Sequence, residues 1–424
     1  MLRENEYYLK DICLIKGGKR LPKGHQLTKI PTPHPYIKAR DIGSRKIDCD
    51  NLEFISEETF KRIKNYIVSK NDVCITIVGA NIGDVGIVPE FLNGANLTEN
   101  AVKLTKFKTS CSPTFISYVL STPSYKSYMD VVAAGAAQPK LGLYKIQKII
   151  INLPDFSTQQ RIASILSAYD ESIELNNQRI KLLEETAREL YKEWFVRMRF
   201  PDHKEAKFVK GMPEGWEHIP IGKVIDYNIG GGWGNDKTDN QFSMPGFVIR
   251  GTDIPSIRSG VANHEVYRFH KASNMKSREL QEGDIVFETA GGSEGQLLGR
   301  TCYITNEILG AYCDKVMCAS FCKLIRTKII PSLYLYYFLN YLYDTGMIEA
   351  FQVQSTGISN YQFEPFLRFQ EILLPTKELM KEFHDKALLI QKQIALLGTQ
   401  STHLRQIRDR LLPRLVSGKL AVKT

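Results

Sequence analysis

At 424 residues the chain is too long for one ordinary domain, and with 43% hydrophobic residues it can bury a core in each of two or three. Its 56 Lys and Arg outnumber 46 Asp and Glu to give a charge of +10, which favours a polyanionic partner because cations that neutralise phosphates release condensed counterions. The opening residues, Met1 to Glu6, are charged where a secretory leader turns apolar, and no apolar run is long enough to span a bilayer. The eight cysteines form no C-x-x-C pair, and Cys313, Cys318 and Cys322 lie in an apolar stretch without zinc spacing, so a reducing cytoplasm is expected.

In chain order, residues 36–38 and 73–78 are short strand-like runs separated by Gly, Asn and Asp, which is turn chemistry. From Ser157 and Gln160, which have capping-box spacing, the period changes from two to a heptad. Ile162, Leu166, Tyr169, Ile173, Ile180, Leu183, Ala187, Leu190 and Trp194 form a coiled-coil seam, with Asn176 as one polar position of the kind that fixes register. Residues 201–212 read as a polar linker. Strand-like runs then return at 247–249 and 284–287, and the apolar stretch 331–342 predicts a helix packed on a sheet. The seam also returns, as Phe383, Ala387, Ile390, Ile394, Leu397, Leu404 and Leu411, with Ser401 and Arg408 as interruptions and Gly398 expected to weaken the middle.

The chain repeats itself. Asp41-Ile42 returns as Asp253-Ile254, Asp72 as Asp284, and Gly79 and Gly83 as Gly291 and Gly295, all at an offset of 212. Leu153-Pro154 matches Leu374-Pro375 at offset 221, so the second copy carries about nine more residues. The fold expected is therefore α+β: two duplicated mixed domains at 1–154 and 213–375, separated by two long antiparallel coiled-coil helices at 155–200 and 376–424, with pseudo-two-fold symmetry. A helix of forty residues is about 60 Å long, which suits two half-sites on one face of a duplex.

Several pieces in this order resemble a known family. They are Leu153-Pro154, Gln159-Gln160-Arg161-Ile162, Trp194-Phe195, Pro213-Glu214-Gly215-Trp216, and the end from Leu404 to Leu420. Together the pieces are similar to the specificity subunits of type I restriction–modification systems. The first copy lacks the Pro-Glu-Gly-Trp lead, and the second helix begins differently, with Thr376-Lys377. The resemblance implies that each domain is a target-recognition domain reading half of a bipartite double-stranded DNA site. It also implies that the helices set the spacer and dock two methyltransferase subunits, joined by two motor–nuclease subunits for restriction. No cofactor is expected on this chain; S-adenosylmethionine, ATP and Mg would be used by the partner subunits, whose assembly forms the type I deoxyribonuclease.

Two other classes compete. A fused methyltransferase or nuclease would need an Asn/Asp-Pro-Pro-aromatic loop or a metal site. The first is missing, and Asp202 and Glu205 read as a solvated cluster in the linker. A coiled-coil protein scaffold would explain the helices but not two large domains with basic, glycine-rich loops. Those loops supply the candidate DNA contacts: Lys16, Lys19, Arg20, Lys38, Arg40, Asn81, Gln138 and Lys140 in the first copy, and Lys237, Arg250, Ser293, Gln296, Arg300, Ser359 and Asn360 in the second. Arg and Lys bond guanine edges or phosphates, Asn and Gln pair adenine, and Gly allows close backbone approach. Asp41, Asp72 and their repeats are expected to fix turns, since carboxylates repel phosphates. Arg250 is expected to contact either a base edge, as a bidentate donor, or a phosphate.

Overall fold

The run at 73–78 becomes the strand Val73–Thr76, buried on both faces, and its repeat becomes Ile285–Glu288, equally buried. The computed structural model describes residues 5–134, 139–291, 295–355 and 358–422. It divides into two units, Met1–Glu171 with Arg405–Thr424, and Ser172–Leu404.

In the first unit, antiparallel strands lie in the order Leu14–Gly17, Ala101–Thr105, Val73–Thr76, Val85–Ile87. A second sheet places Pro35–Ile37 between Glu53–Phe54, antiparallel, and Asn96–Leu97, parallel. Glu6–Tyr8 pairs with Ile150–Asn152. The second unit carries the same three sheets. Its four-stranded order is Ile225–Gly230, Cys322–Thr327, Ile285–Glu288, Thr301–Tyr303. Phe242–Ile249 lies between antiparallel Tyr267–Lys271 and parallel Val316–Cys318, and Glu217–Pro220 pairs with Glu371–Leu374. A further sheet of Ala290–Gly291, Ile358–Tyr361 and Gln352–Ser355 extends in this copy what is a single bridge, Val78 to Lys140, in the first.

The repeated aspartates hold turns. Asp41 accepts from the Lys38 amide at 2.8 Å, and Asp253 from the Arg250 amide at 2.8 Å. Asp72 and Asp284 accept in the same way from Ser69 (2.9 Å) and Gln281 (2.7 Å). Two glycines near the candidate loops have a structural reason. A Cβ on Gly18 would lie 2.0 Å from the Thr98 carbonyl oxygen, and one on Gly231 would lie 2.1 Å from that of Cys318. These positions are glycine because one chain segment crosses another there.

The first long helix runs Phe156–Tyr191 and ends in a widened π turn, Lys192–Val196; the second runs Lys377–Val416. The cap of the first is Asp155, not Ser157: its carboxylate accepts from the Thr158 amide at 2.9 Å and from both hydroxyls of Ser157 and Thr158 at 2.7 Å. A carboxylate is the stronger acceptor at a helix N-terminus, so the chain enters the helix earlier than the capping-box spacing implied.

Within the second unit the two helices run antiparallel. Trp194 packs against Phe383 with tilted rings (centroids 6.1 Å apart), while the Asn176 amide reaches Ser401 at 3.2 Å, eighteen residues away on each helix. Ile173, Ile180, Ala187, Trp194, Phe383, Ala387 and Ile394 are buried; Leu183, Leu190, Ile390, Leu397 and Leu404 are half-buried. The π turn brings both Trp194 and Phe195 inward, where Phe195 meets Tyr334 at 4.8 Å on the buried helix Ser332–Asp344. In the first unit, Ile162 and Leu166 are buried, Tyr169 and Leu411 half-buried, and Leu412 and Leu415 complete the core around Phe115.

Gly398 has a tertiary role. A Cβ on it would stand 2.3 Å from the Gly260 carbonyl oxygen and 2.4 Å from that of Ser259, so the loop of the second domain lies directly on the helix backbone. Gly398 is therefore a docking point rather than a weak place in the seam.

Candidate nucleic-acid interface

The candidate contacts that the structure describes fall into two groups. Lys16, Lys19, Asn81, Lys140, Lys237 and Asn360 are exposed, and Ser359 is half-buried. Lys16 projects from an edge strand, and Asn81 stands between Gly79 (φ +98°) and Gly83 (φ +81°), a conformation that favours glycine. Lys140 bridges to Val78, and Ser359 and Asn360 pair with Gly291 and Ala290. The Lys19 ammonium lies 5.6 Å from the Tyr66 ring centre. Gln138 and Ser293 lie outside the described residues.

A second group is held by carboxylates. Lys38 contacts Glu53, and its repeat Arg250 contacts Glu265 at 2.7 Å, an equivalent pair at offset 212. Arg250 also forks onto Asp253, with Nε at 3.0 Å and Nη2 at 2.8 Å, and Asn263 donates to the same Asp253 at 2.7 Å. Bonding to Asp253 and then Glu265 holds the guanidinium more firmly protonated than usual. Burial, with Arg40 close by, instead pulls the Lys38 ammonium below its ordinary value. Arg40 remains largely exposed, 3.5 Å from Glu53. Arg20, 79% exposed, pairs with Glu99 at 2.6 Å.

Arg300 belongs to the same group. It grips the buried Glu288 carboxylate through Nε at 2.8 Å and Nη2 at 2.5 Å. Gln296, with its amide oxygen turned toward Arg300, accepts from Nε at 2.7 Å. The fork geometry expected of Arg250 on a guanine is thus occupied by Asp253 and Glu265. Arg250 fixes the turn in this arrangement, and a base contact would require giving up those partners.

Another feature was not read from the sequence. Trp233, Arg250, Gln296 and Arg300 line one hollow of about 610 Å³ with Ala290, Leu298, Ala319 and Phe321. Phe321, 58% exposed on the turn before Cys322–Thr327, is an aromatic side chain between two strand-like runs, the one signal that could have marked it. The Arg268 guanidinium, 4.9 Å from the ring centre, covers one face of Trp233.

A buried charge cluster in the first unit is also new. Asp170 on the first long helix accepts from Arg45 at 3.0 Å, from the Tyr118 hydroxyl at 2.6 Å, and from Arg408 at 2.5 Å. Arg408, a polar interruption in the seam, is there to meet this carboxylate. In the second unit Arg258 reaches Glu184 at 3.4 Å and Arg188 reaches Asp344 at 2.7 Å. Among the described residues no group of three or more His, Cys, Asp or Glu is arranged to hold a metal ion, and no helix is long and apolar enough to cross a membrane.

The two units thus carry one arrangement of sheets, with exposed basic and amide side chains such as Lys16, Asn81, Lys140, Lys237 and Asn360 on its strands and turns. Residues 4–185 match the type I restriction modification DNA specificity domain family. The chain is 24% identical over 445 aligned positions to the type I restriction enzyme MjaIX specificity subunit of Methanocaldococcus jannaschii, covering 98% of this chain and 93% of that one. A shorter match, 31% over 141 residues, joins 32% of the chain to 29% of the EcoBI specificity subunit of Escherichia coli. The fold is similar to the crystal structure of a type I S subunit from M. genitalium, with a TM-score of 0.58 at 13% identity over 99% of this chain and 96% of that one. Over residues 4–185 by family, and over nearly its whole length by its relatives, the chain is similar to the type I restriction–modification specificity subunits.

Proposed function

We propose that each globular part reads one half of a bipartite site in double-stranded DNA, while the two long helices set the gap between the halves. Two methyltransferase subunits dock on the helices, and two motor–nuclease subunits join them for restriction, in the cytoplasm. The chain itself performs no chemistry in this reading. Methyl transfer from S-adenosylmethionine and ATP- and Mg-dependent cleavage belong to the partners.

The observation that carries this reading is the repetition of one strand order with different side chains at its turns. Gly79-Ala80-Asn81 in one copy stands opposite Gly291-Gly292-Ser293 in the other, at offset 212. A common scaffold with unlike turn chemistry suits two different half-sites, since base identity is read by side chains that reach the groove edges.

The purified chain is expected to bind duplex DNA with an affinity that falls steeply as salt rises, and removing one phosphate-contacting lysine, Lys16 or Lys140, should flatten the log–log slope by about 1. With labelled methyl donor, ATP and magnesium, the chain alone should transfer no methyl group and cut no DNA. Binding without salt dependence, or methyl transfer by the chain alone, contradicts the reading.

A further inference from the structure

We propose that the hollow of the second domain receives one nucleobase unstacked from the duplex and holds it against the Trp233 indole. This rests on the DNA-reading role above and names a ligand for one part of it.

The hollow's volume, about 610 Å³, lies in the range of roughly 300–1,000 Å³ typical of small-molecule sites. Its walls are the rings of Trp233 and Phe321 with Ala290, Leu298 and Ala319. Both guanidiniums that line it are matched by carboxylates, Arg250 by Asp253 and Glu265, and Arg300 by Glu288. A phosphate therefore finds no unmatched cation in these two, whereas an uncharged flat ring finds aromatic and aliphatic surface. Arg268 covers one face of Trp233 without lining the hollow, and the rest of the indole is 42% exposed. Aromatic rings accept any base by stacking, and Gln296 and Thr252 at the wall supply hydrogen-bonding groups for its edge.

The first copy shows that this is a local specialisation. Gly18 donates to Ala101 at 3.1 Å and Lys19 to Leu97 at 2.8 Å; Gly231 donates to Cys322 and Gly232 to Cys318, each at 2.9 Å. These ladders make Arg20 the counterpart of Trp233 and Asn100 the counterpart of Phe321. Where the second copy carries two exposed rings, the first carries an arginine paired with Glu99 and an asparagine. The same position is polar in one domain and a stacking surface in the other, so only the second domain unstacks a base.

The test uses the full chain and duplexes of the bipartite sequence, with 2-aminopurine placed at successive positions in both halves. One position in the second domain's half should change fluorescence several-fold on binding, and none in the first half should. The change should disappear in Trp233→Ala and in Phe321→Ala, with affinity about 10-fold lower, the scale of one lost base–aromatic stack. Both side chains are substantially exposed, so a thermal melt should show these variants folded. Trp194 and Trp216 are buried, so DNA-dependent quenching of tryptophan emission should vanish in Trp233→Phe, even though that variant keeps a ring. A duplex that binds with no responsive position, or a response that survives both alanine variants, overturns the proposal while leaving the half-site reading intact. Failure to bind any bipartite duplex would remove both.

Discussion

Asp170→Asn is expected to lower the stability of the first unit by about 3–5 kcal/mol at neutral pH, the cost of leaving a buried charge without its partner. The side chains of Arg45 and Arg408 are only 10% and 14% exposed, and both point at this one carboxylate. Asparagine keeps the size and a hydrogen-bonding oxygen but removes the charge, so Arg45 loses this carboxylate in a poorly solvated place, while Arg408 keeps only the more exposed Asp409 at 2.8 Å. Burial on its own would raise the Asp170 carboxyl; Arg45, Tyr118 and Arg408 outweigh it and bring the group below its ordinary value. The unfolded chain, with a carboxyl near 3.9, therefore takes up the proton first as pH falls. The stabilisation is complete above that value and is lost as pH falls through the lower folded value. Urea denaturation from pH 7 to pH 3 should show the wild-type advantage over the variant narrowing at the acid end. An advantage that is constant across this range, or no loss at pH 7, would show that the cluster does not hold the domain on its helices.

Gly398→Ala should cost about 2 kcal/mol or more, although alanine is the better helix former by about 1 kcal/mol. The atoms in the way are the backbone oxygens of Ser259 and Gly260, which no rotamer change can move. Gly260 is itself committed to φ +74°, so the loop has little freedom to retreat. Gly310→Ala is the matched control: it lies in the helix Asn306–Tyr312, and a Cβ there meets nothing within 4 Å. The control should be neutral or stabilised while Gly398→Ala is destabilised. Equal effects from the two would mean that the loop does not press on the helix.

These two sites show what the sequence conceals. The offset of 212 made Lys38 and Arg250, Asp41 and Asp253, and Asp72 and Asp284 legible as equivalents, because a carboxylate that closes a turn must sit at a fixed distance from the amide it binds. The heptad likewise exposed Asn176, since one polar residue in an apolar seam is visible in a single sequence. Gly398 looked like a defect because its reason lies in a loop about 140 residues away in sequence. Arg250 and Arg300 looked like free readers because Glu265 and Glu288 come within reach only after folding, 15 and 12 residues away. The hollow was hidden because the offset drifts from 213 at Trp233 to 221 at Phe321, so its two rings have no obvious common counterpart in the first copy. Polarity at one position can also change between copies without changing the contact. Tyr118 donates to Asp170 at 2.6 Å, while Tyr337, 219 residues later, accepts from Gln391 at 2.8 Å.

The central claim, that two copies of one domain read two halves of one site, is tested most directly by mapping methylated adenines in two strains. One carries the natural chain; the other carries Lys237→Ala with Asn360→Ala, two exposed positions of the second domain. The natural chain should give a motif of two parts with a fixed gap, and the variant should relax or lose recognition in one part only. A contiguous motif, or a change in both parts together, would contradict the account.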